Sequence, residues 1–458
     1  MTVADAGGLV FGRAPRPVTC GFDLSIGDGR VYPEVNFTLP AMSISAETWG
    51  EVCAQYEQIA RTVLQRAVAL QTPGLVLEFE LLPAMTEIPE WGAEITAILH
   101  RHLAEAHARH GLRSALRVTP TDIRDQRKPP ELRSGEPWDR VKRCFELSIA
   151  AGADILSIES VGGKEVHDQA LLYGDVRGVV FALGVLAPRD MAWLWDYIVG
   201  ACRAHNHAVP GGDTACGFAN TAMQLAHQKM LPEVLAAVVR AMCAARSLVA
   251  FERGAVGPSK DCAYEGPIIK AISGAPISME GKSATCAHFS PVGNISAAMA
   301  DLWSNESVQN IRLLSGEAPA AYAELLAYDC RLMNVAASRG EAIRLRDWLI
   351  ESDRALSPQA ALMSPDAVYR IGAAIVSEQD GYRRTVAAGR TAIEILNEQL
   401  AADGLALSGK ERQWLKRLET EFAALPASSN DLLDEMHDKY SGVFDPAAYG
   451  ISARSTTA

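Results

Sequence analysis

Basic residues are in short supply. The 458-residue chain carries 43 Lys and Arg against 55 Asp and Glu, a formal net charge of -12, and its basic clusters are short and mixed with acids. A phosphate backbone demands a concentrated basic surface, so no nucleic-acid partner is expected. No run approaches the 18 apolar residues of a membrane span, and the first twenty residues lack an apolar stretch behind a basic start. Neither a membrane association nor a secretory signal is therefore predicted. The nine cysteines form no CxxC pair and are widely scattered, which predicts reduced thiols in a cytoplasmic protein. Most, such as Cys53, Cys144, Cys202 and Cys243, sit in helical contexts and read as small buried hydrophobes. No GxGxxG follows an early strand, which weakens a dinucleotide-binding reading.

What is present is a globular composition, 48% hydrophobic and 21% charged, and a long alternation. Residues 1–45 hold short β-like pieces and read as an N-terminal arm. A helix is predicted from Ser45 to about Leu70. Strands follow over 74–82, 114–120, 154–160 and 178–186, with further candidates over 247–254 and 276–281. Helices are expected over 88–111, 138–152, from near Asp190, over 218–229 and over 232–245. Strands alternating with helices specify a parallel sheet. Its closure into a barrel is favoured because Glu80, Arg117, Glu159, Asp213 and Glu252 fall at strand ends, where a TIM (β/α)8 barrel gathers its functional side chains. The expected organisation is the arm 1–45, a barrel over 46–318 and a helical extension over 319–458.

Three loops combine small residues with metal-capable ones: SIESVGGKEVHD with Glu159, GGDTACGF with Cys216, and GAVGPSKDCAYEGP with Cys262. One carboxylate and two thiolates suit zinc and leave a fourth position open. The alternative is two buried cysteines and a glutamate held by backbone amides, and spacing alone does not choose between them. Glu165, His167, Cys286 and His288 compete as ligands. Asp213, three positions before Cys216, is a candidate to orient a ligand or move a proton, or else a loop cap. Lys260 would either lower local negative charge or face water. His100, His102, His107 and His110, interleaved with Arg101 and Arg109, read as a solvated helix face.

The stretches IESVGGKEVHD, GGDTACGFANTAM, AVGPSKDCAYEGP, EGKSATCAHFSPVGN and DLWSNESVQNIRLL, five long motifs in order, closely resemble the zinc-containing subunit of the methanol:corrinoid methyltransferases. The resemblance runs from about residue 15 to the C-terminal helices. It implies a TIM barrel with helical additions, zinc held by Glu159, Cys216 and Cys262, and methyl transfer from methanol to the Co(I) corrinoid of a smaller partner protein. It also implies a homodimer at the core of the complex. The chain itself lacks the DxHxxG of a protein that holds cobalamin by a histidine; His167 does not complete it. A demethylase of another small methoxy or methyl compound keeps this chemistry and changes the substrate. A zinc barrel hydrolase is the competing class, but no HxH ends an early strand, and His205 and His207 come late. Joint retention of the three ligands disfavours an inactive structural partner.

Overall fold

The computed structural model describes residues 1–37, 42–262, 264–284, 289–307, 312–313 and 316–452. An antiparallel hairpin, β1 (Arg13–Cys20) and β2 (Leu24–Asp28), precedes β3 (Tyr32–Phe37), β4 (Leu75–Glu80), β5 (Ser114–Thr119), β6 (Ile155–Ile158), β7 (Val209–Asp213), β8 (Ser278–Glu280) and β9 (Leu302–Ser307). The last seven form one parallel sheet in the order β7-β6-β5-β4-β3-β9-β8. It curls through 230° and stops, leaving its two edges 10 Å apart. The expected closed (β/α)8 barrel is thus corrected to an open half-barrel.

Two physical reasons account for the difference. The apolar runs expected as strands over 178–186 and 247–254 are helical: Val176–Phe181 continues into a π turn at Ala182–Leu186, and Glu233–Arg253 is one unbroken helix. Both are buried on nearly every side, so their hydrophobicity carries no period that separates helix from strand. In the space between β7 and β8 runs the segment 256–262. The amide of Val256 donates to the carbonyl of Pro210 on β7 (2.8 Å), and Ser259 makes a single parallel bridge to Ile277. Gly257 has a left-handed φ of 88° and Pro258 has no N–H to donate, so this segment cannot continue as a ladder strand.

Inward-facing side chains stack in layers. Tyr32, Val76, Ala115, Ile155 and Leu302 make an apolar floor, covered by Cys20, Leu24 and Ile26 of the hairpin. Above it lie Glu34, Glu78, Arg117, Ser157 and Ser304, all fully buried. The C-terminal ends of the strands form the mouth. Helices such as Trp49–Ala69, Pro89–His110 (ended by Gly111 at φ 65°), Gly135–Ala150 and Ala187–His205 cover the outer face. Val176–His205 and Glu233–Arg253 are long and apolar enough to cross a membrane, but most of each is buried inside the protein. After Glu317 the described chain is helical, from Ala318–Ser338 to Ser429–Lys439.

Candidate metal centre

Glu159 stands one residue past β6, where the strand opens into the SVGG loop. Cys216 is the first residue of the helix Cys216–His227, where the positive end of the helix dipole favours negative charge on its sulfur. Cys262 ends the segment that fills the sheet gap. It has a φ of 65°, a left-handed conformation rare for a side-chain-bearing residue and recurrent at functional sites. That backbone turns its thiol toward Glu159, with Sγ 3.7 Å from Oε1. One donor atom from each of Glu159, Cys216 and Cys262 lies within 4.8 Å of the other two. The side-chain amide of Asn220, one helical turn on, donates to Cys216 Sγ (2.8 Å).

The three loops are tied together by groups that sequence spacing did not reveal. Arg246, buried in Glu233–Arg253, donates to the carbonyl (2.8 Å) and hydroxyl (2.6 Å) of Ser160, to Asp213 Oδ1 (3.0 Å) and to the carbonyl of Thr214 (3.3 Å). It thereby joins the Glu159 loop to the Cys216 loop. Glu265, just after Cys262, accepts from the amide of Ala215 (2.7 Å) and joins the third. Asp213 itself is buried and fully engaged. Its Oδ1 also accepts from the amide of Ser160 (3.3 Å), and its Oδ2 accepts from the Trp195 indole (3.0 Å).

Lys260 is fully buried, so its water-facing alternative falls away. Its ammonium lies 2.5 Å from Glu80, 2.6 Å from Asp261, 3.1 Å from Glu78 and 3.8 Å from Glu159. Burial raises the carboxyl of Glu159 to about 7; Lys260 pulls it down, while Glu80, Asp261 and Asp213 push it up. Burial lifts Glu78 well above the usual carboxylate range, against the pull of Lys260. Burial works against the ammonium of Lys260, yet Asp261, Glu78 and Glu80 hold its pKa well above the ordinary lysine value. Glu34, Glu78 and Asp261 form a second close carboxylate group. It already contains cations, since Lys260 contacts Glu78 and Asp261, and Arg117 Nε donates to Glu34 (2.7 Å).

A cavity of about 250 Å³ opens beside Glu159, walled by Glu80, Thr119, Asp122, Ser160, Lys164 and Gly217. Glu80 reaches it from the end of β4, with Oε1 held by Lys260 and by the Asn36 amide (3.2 Å).

The other candidates lie elsewhere. Glu165 is not part of that donor group and accepts from the Tyr449 hydroxyl (2.5 Å). His167 is buried, its Nδ1 3.2 Å from Asp168 and its ring edge-on to Phe218. Arg117 lies mid-strand in the ionic layer rather than at a strand end. Glu252 is on a helix and pairs with Arg384 (2.6 Å). His102 sits 3.4 Å from Glu57, and among the described residues none of the four helix histidines joins a metal-capable group. Cys286 and His288 lie outside the described residues.

A model of the family "MtaB: Methanol-cobalamin methyltransferase B subunit" matches residues 1–450. A methanol–corrinoid protein co-methyltransferase of Methanosarcina barkeri is 39% identical over 460 residues, covering 98% of each chain. The crystal structure of the methanol:cobalamin methyltransferase complex MtaBC from Methanosarcina barkeri contains a chain that superposes with a TM-score of 0.93. That chain is 38% identical, and the match covers 98% of both. With nearly its whole length matched in sequence and in fold, the chain belongs to the methanol-cobalamin methyltransferase B subunit family.

Proposed function

We propose that Glu159, Cys216 and Cys262 hold a zinc ion that activates methanol in the methanol:corrinoid methyltransferase reaction of this chain. The observation that carries the reading is the convergence of one carboxylate and two thiols, from three separate mouth loops, to within 4.8 Å. Carboxylate and thiolate donors suit zinc, and three protein ligands leave a position for substrate, whereas a closed four-ligand set would be structural. When bound, zinc supplies a Lewis acid for the methanol oxygen as its bond to carbon breaks.

Overall, the methyl group passes to the Co(I) corrinoid of a partner protein, which contributes the electron pair of the new Co–C bond. The C–O pair stays on oxygen, and proton uptake completes water. The chain's own groups prepare this transfer. Asn220 donates to Cys216 Sγ and fixes its direction. Lys260 offsets the negative charge gathered by Glu80, Asp261 and Glu159, so the site tolerates two thiolates beside its carboxylates. Arg246, Asp213 and Glu265 hold the ligand loops in register, the outer support that metal ligands require. The small cavity beside Glu159 gives a one-carbon alcohol a walled place to sit, where position matters as much as polarisation.

About one zinc per chain is expected in purified protein. Glu159→Ala, Cys216→Ala and Cys262→Ala should each lose it, while Cys286→Ala should keep it. Elemental analysis decides: full retention in both cysteine variants sinks the assignment. With zinc and the corrinoid partner in its Co(I) state, methyl-Co(III) should form fastest from methanol. A methoxyaromatic reacting far better would leave the metal standing and replace the substrate.

The reading extends to a second copy of the chain. On Ala318–Ser338 the exposed Leu325, Tyr328, Leu332 and Val335 recur at intervals of three, four and three residues. That is the seam of a helix that pairs with another helix.

A further inference from the structure

We propose that Tyr449, near the end of the chain, is a positioning residue for the metal centre, acting through the loop that carries Glu159. The proposal rests on the reading of Glu159 as a ligand.

After Glu159 the backbone amides of the SVGG loop are not paired in any ladder. Three of them, those of Ser160, Val161 and Gly163, are each held by a side chain from a distant segment. The amide of Ser160 donates to Asp213 (3.3 Å), that of Val161 to Asp122 (3.0 Å), and that of Gly163 to the Tyr449 hydroxyl (2.8 Å). Two of these holders are themselves braced by buried arginines. Arg246 holds Asp213, and Arg124 clamps Asp122 (2.7 and 2.8 Å) together with Asp190 (2.9 Å). Among the described residues, no arginine hydrogen-bonds the Tyr449 hydroxyl. It depends on the docking of the C-terminal segment.

The tyrosine is buried, and its hydroxyl uses both of its roles. It accepts from Gly163 and donates to Glu165 Oε1 (2.5 Å), so it closes the loop from both sides of the turn that starts Lys164–Leu172. Gly163 has a φ of 88°, and a Cβ there would lie 2.9 Å from the carbonyl oxygen of Ala182. The turn is therefore tight, and loss of its amide partner cannot be absorbed by a larger residue. The short helix Pro446–Tyr449 presents the hydroxyl, N-capped by Asp445 and stopped by Gly450 at φ 64°. A second tyrosine, Tyr440, fastens the same C-terminal segment by donating to Asp175 (2.6 Å), without touching the ligand loop. The two tyrosines separate docking of the segment from support of the metal.

The test compares Tyr449→Phe with Tyr440→Phe, measuring zinc affinity by chelator competition, unfolding of the zinc-free protein, and kcat and KM for methanol. Both variants should lower the unfolding midpoint by comparable amounts. Only Tyr449→Phe should weaken zinc binding, by roughly 10-fold, the usual cost of removing an outer support of a ligand. Its kcat should fall more than its KM changes. Equal zinc affinity in Tyr449→Phe and the parent overturns the proposal, as does equal weakening in both tyrosine variants. Glu159→Ala separates the two readings: if it loses zinc while Tyr449→Phe does not, the ligand stands and the latch falls. If Glu159→Ala binds zinc as tightly as the parent, the ligand reading fails and takes the latch with it. Should Tyr449→Phe not fold, Glu165→Leu leaves the tyrosine in place without its acceptor and carries the same expectation.

Discussion

Lys260 is the residue on which the electrostatics of the mouth turn. A buried ammonium with carboxylates of Glu80, Asp261 and Glu78 at 2.5 to 3.1 Å leaves uncompensated charge behind when it is removed. Breaking such a buried set from one side costs on the order of 3–5 kcal/mol. Lys260→Met should therefore lower stability by about that amount in urea unfolding; a change well under 1 kcal/mol would show that the carboxylates reprotonate or hydrate without cost. Asp154 gives a separate, pH-dependent case. Burial pushes its carboxyl up to about 6 from an unfolded value of 3.8, although the amide of Leu116 donates to it (2.8 Å). The folded state thus binds this proton more tightly than the unfolded chain. The burial penalty is absent below the unfolded value, grows as pH rises toward about 6, and is complete above it. Asp154→Asn should gain on the order of 1–3 kcal/mol over the parent at pH 8 and clearly less at pH 5. An equal gain at both would refute the ionic origin. At the candidate site, the grouping of Glu159, Cys216 and Cys262 was legible because each sits in a loop of small residues and matches a long motif. Arg246, Asp122, Glu265 and Tyr449 were not, because they act on backbone groups of remote segments and leave no mark in local spacing.

At the level of elements, the sequence was legible where a helix keeps a polar face or a strand is a short run between helices, and illegible where a long helix is buried on every side. Pro89–His110 was legible through its period and its Gly111 stop, and β4, β5 and β6 as short, mostly apolar runs between helices. The stretches 178–186 and 247–254 were misread because helices buried all round look like core strands. β7, with its Pro-Gly-Gly, reads as a turn, and it pairs with β6 only across an irregularity in register. The deep burial of Glu233–Arg253 has a testable consequence in the helix packed on it, Gly381–Ala401. A Cβ on Gly389 would lie 2.3 Å from the ring of Phe422 and 3.3 Å from Met242 Sδ, so the close approach of three helices requires glycine there. Gly389→Ala should destabilise by roughly 1–3 kcal/mol. Gly200, in Ala187–His205, has nothing within 4 Å of a would-be Cβ, and Gly200→Ala should be neutral or stabilising by up to about 1 kcal/mol. Thermal unfolding of the pair checks the contrast; similar shifts of the same sign would deny the packing argument.

For the whole molecule, strand–helix alternation made the parallel sheet legible, but not its incomplete closure. Closure depends on whether 256–262 pairs along its length, and a proline and a left-handed glycine decide that it does not. The opening serves the site, since the chain that fills it is the chain that brings Lys260, Asp261 and Cys262 to the mouth. β3 was also hidden, because a central strand lay in a stretch without a strong period. The same scale carries the last expectation. Leu325, Tyr328, Leu332 and Val335 expose 55%, 52%, 62% and 43% of their surface along one side of a helix whose other side packs on β3 and β9. A seam of this spacing suits another of its kind, and in the pairing proposed above a second copy would supply one through two-fold symmetry, each helix against its counterpart. The chain should therefore sediment as a dimer at micromolar concentration without the corrinoid protein. Leu332→Asp combined with Tyr328→Glu should give a monomer that still binds one zinc, because the seam lies on a helix that contributes none of the three ligands. A parent chain that is monomeric at these concentrations would refute the pairing. A dimer unaffected by both charges would place the interface elsewhere and leave the stripe to a different protein.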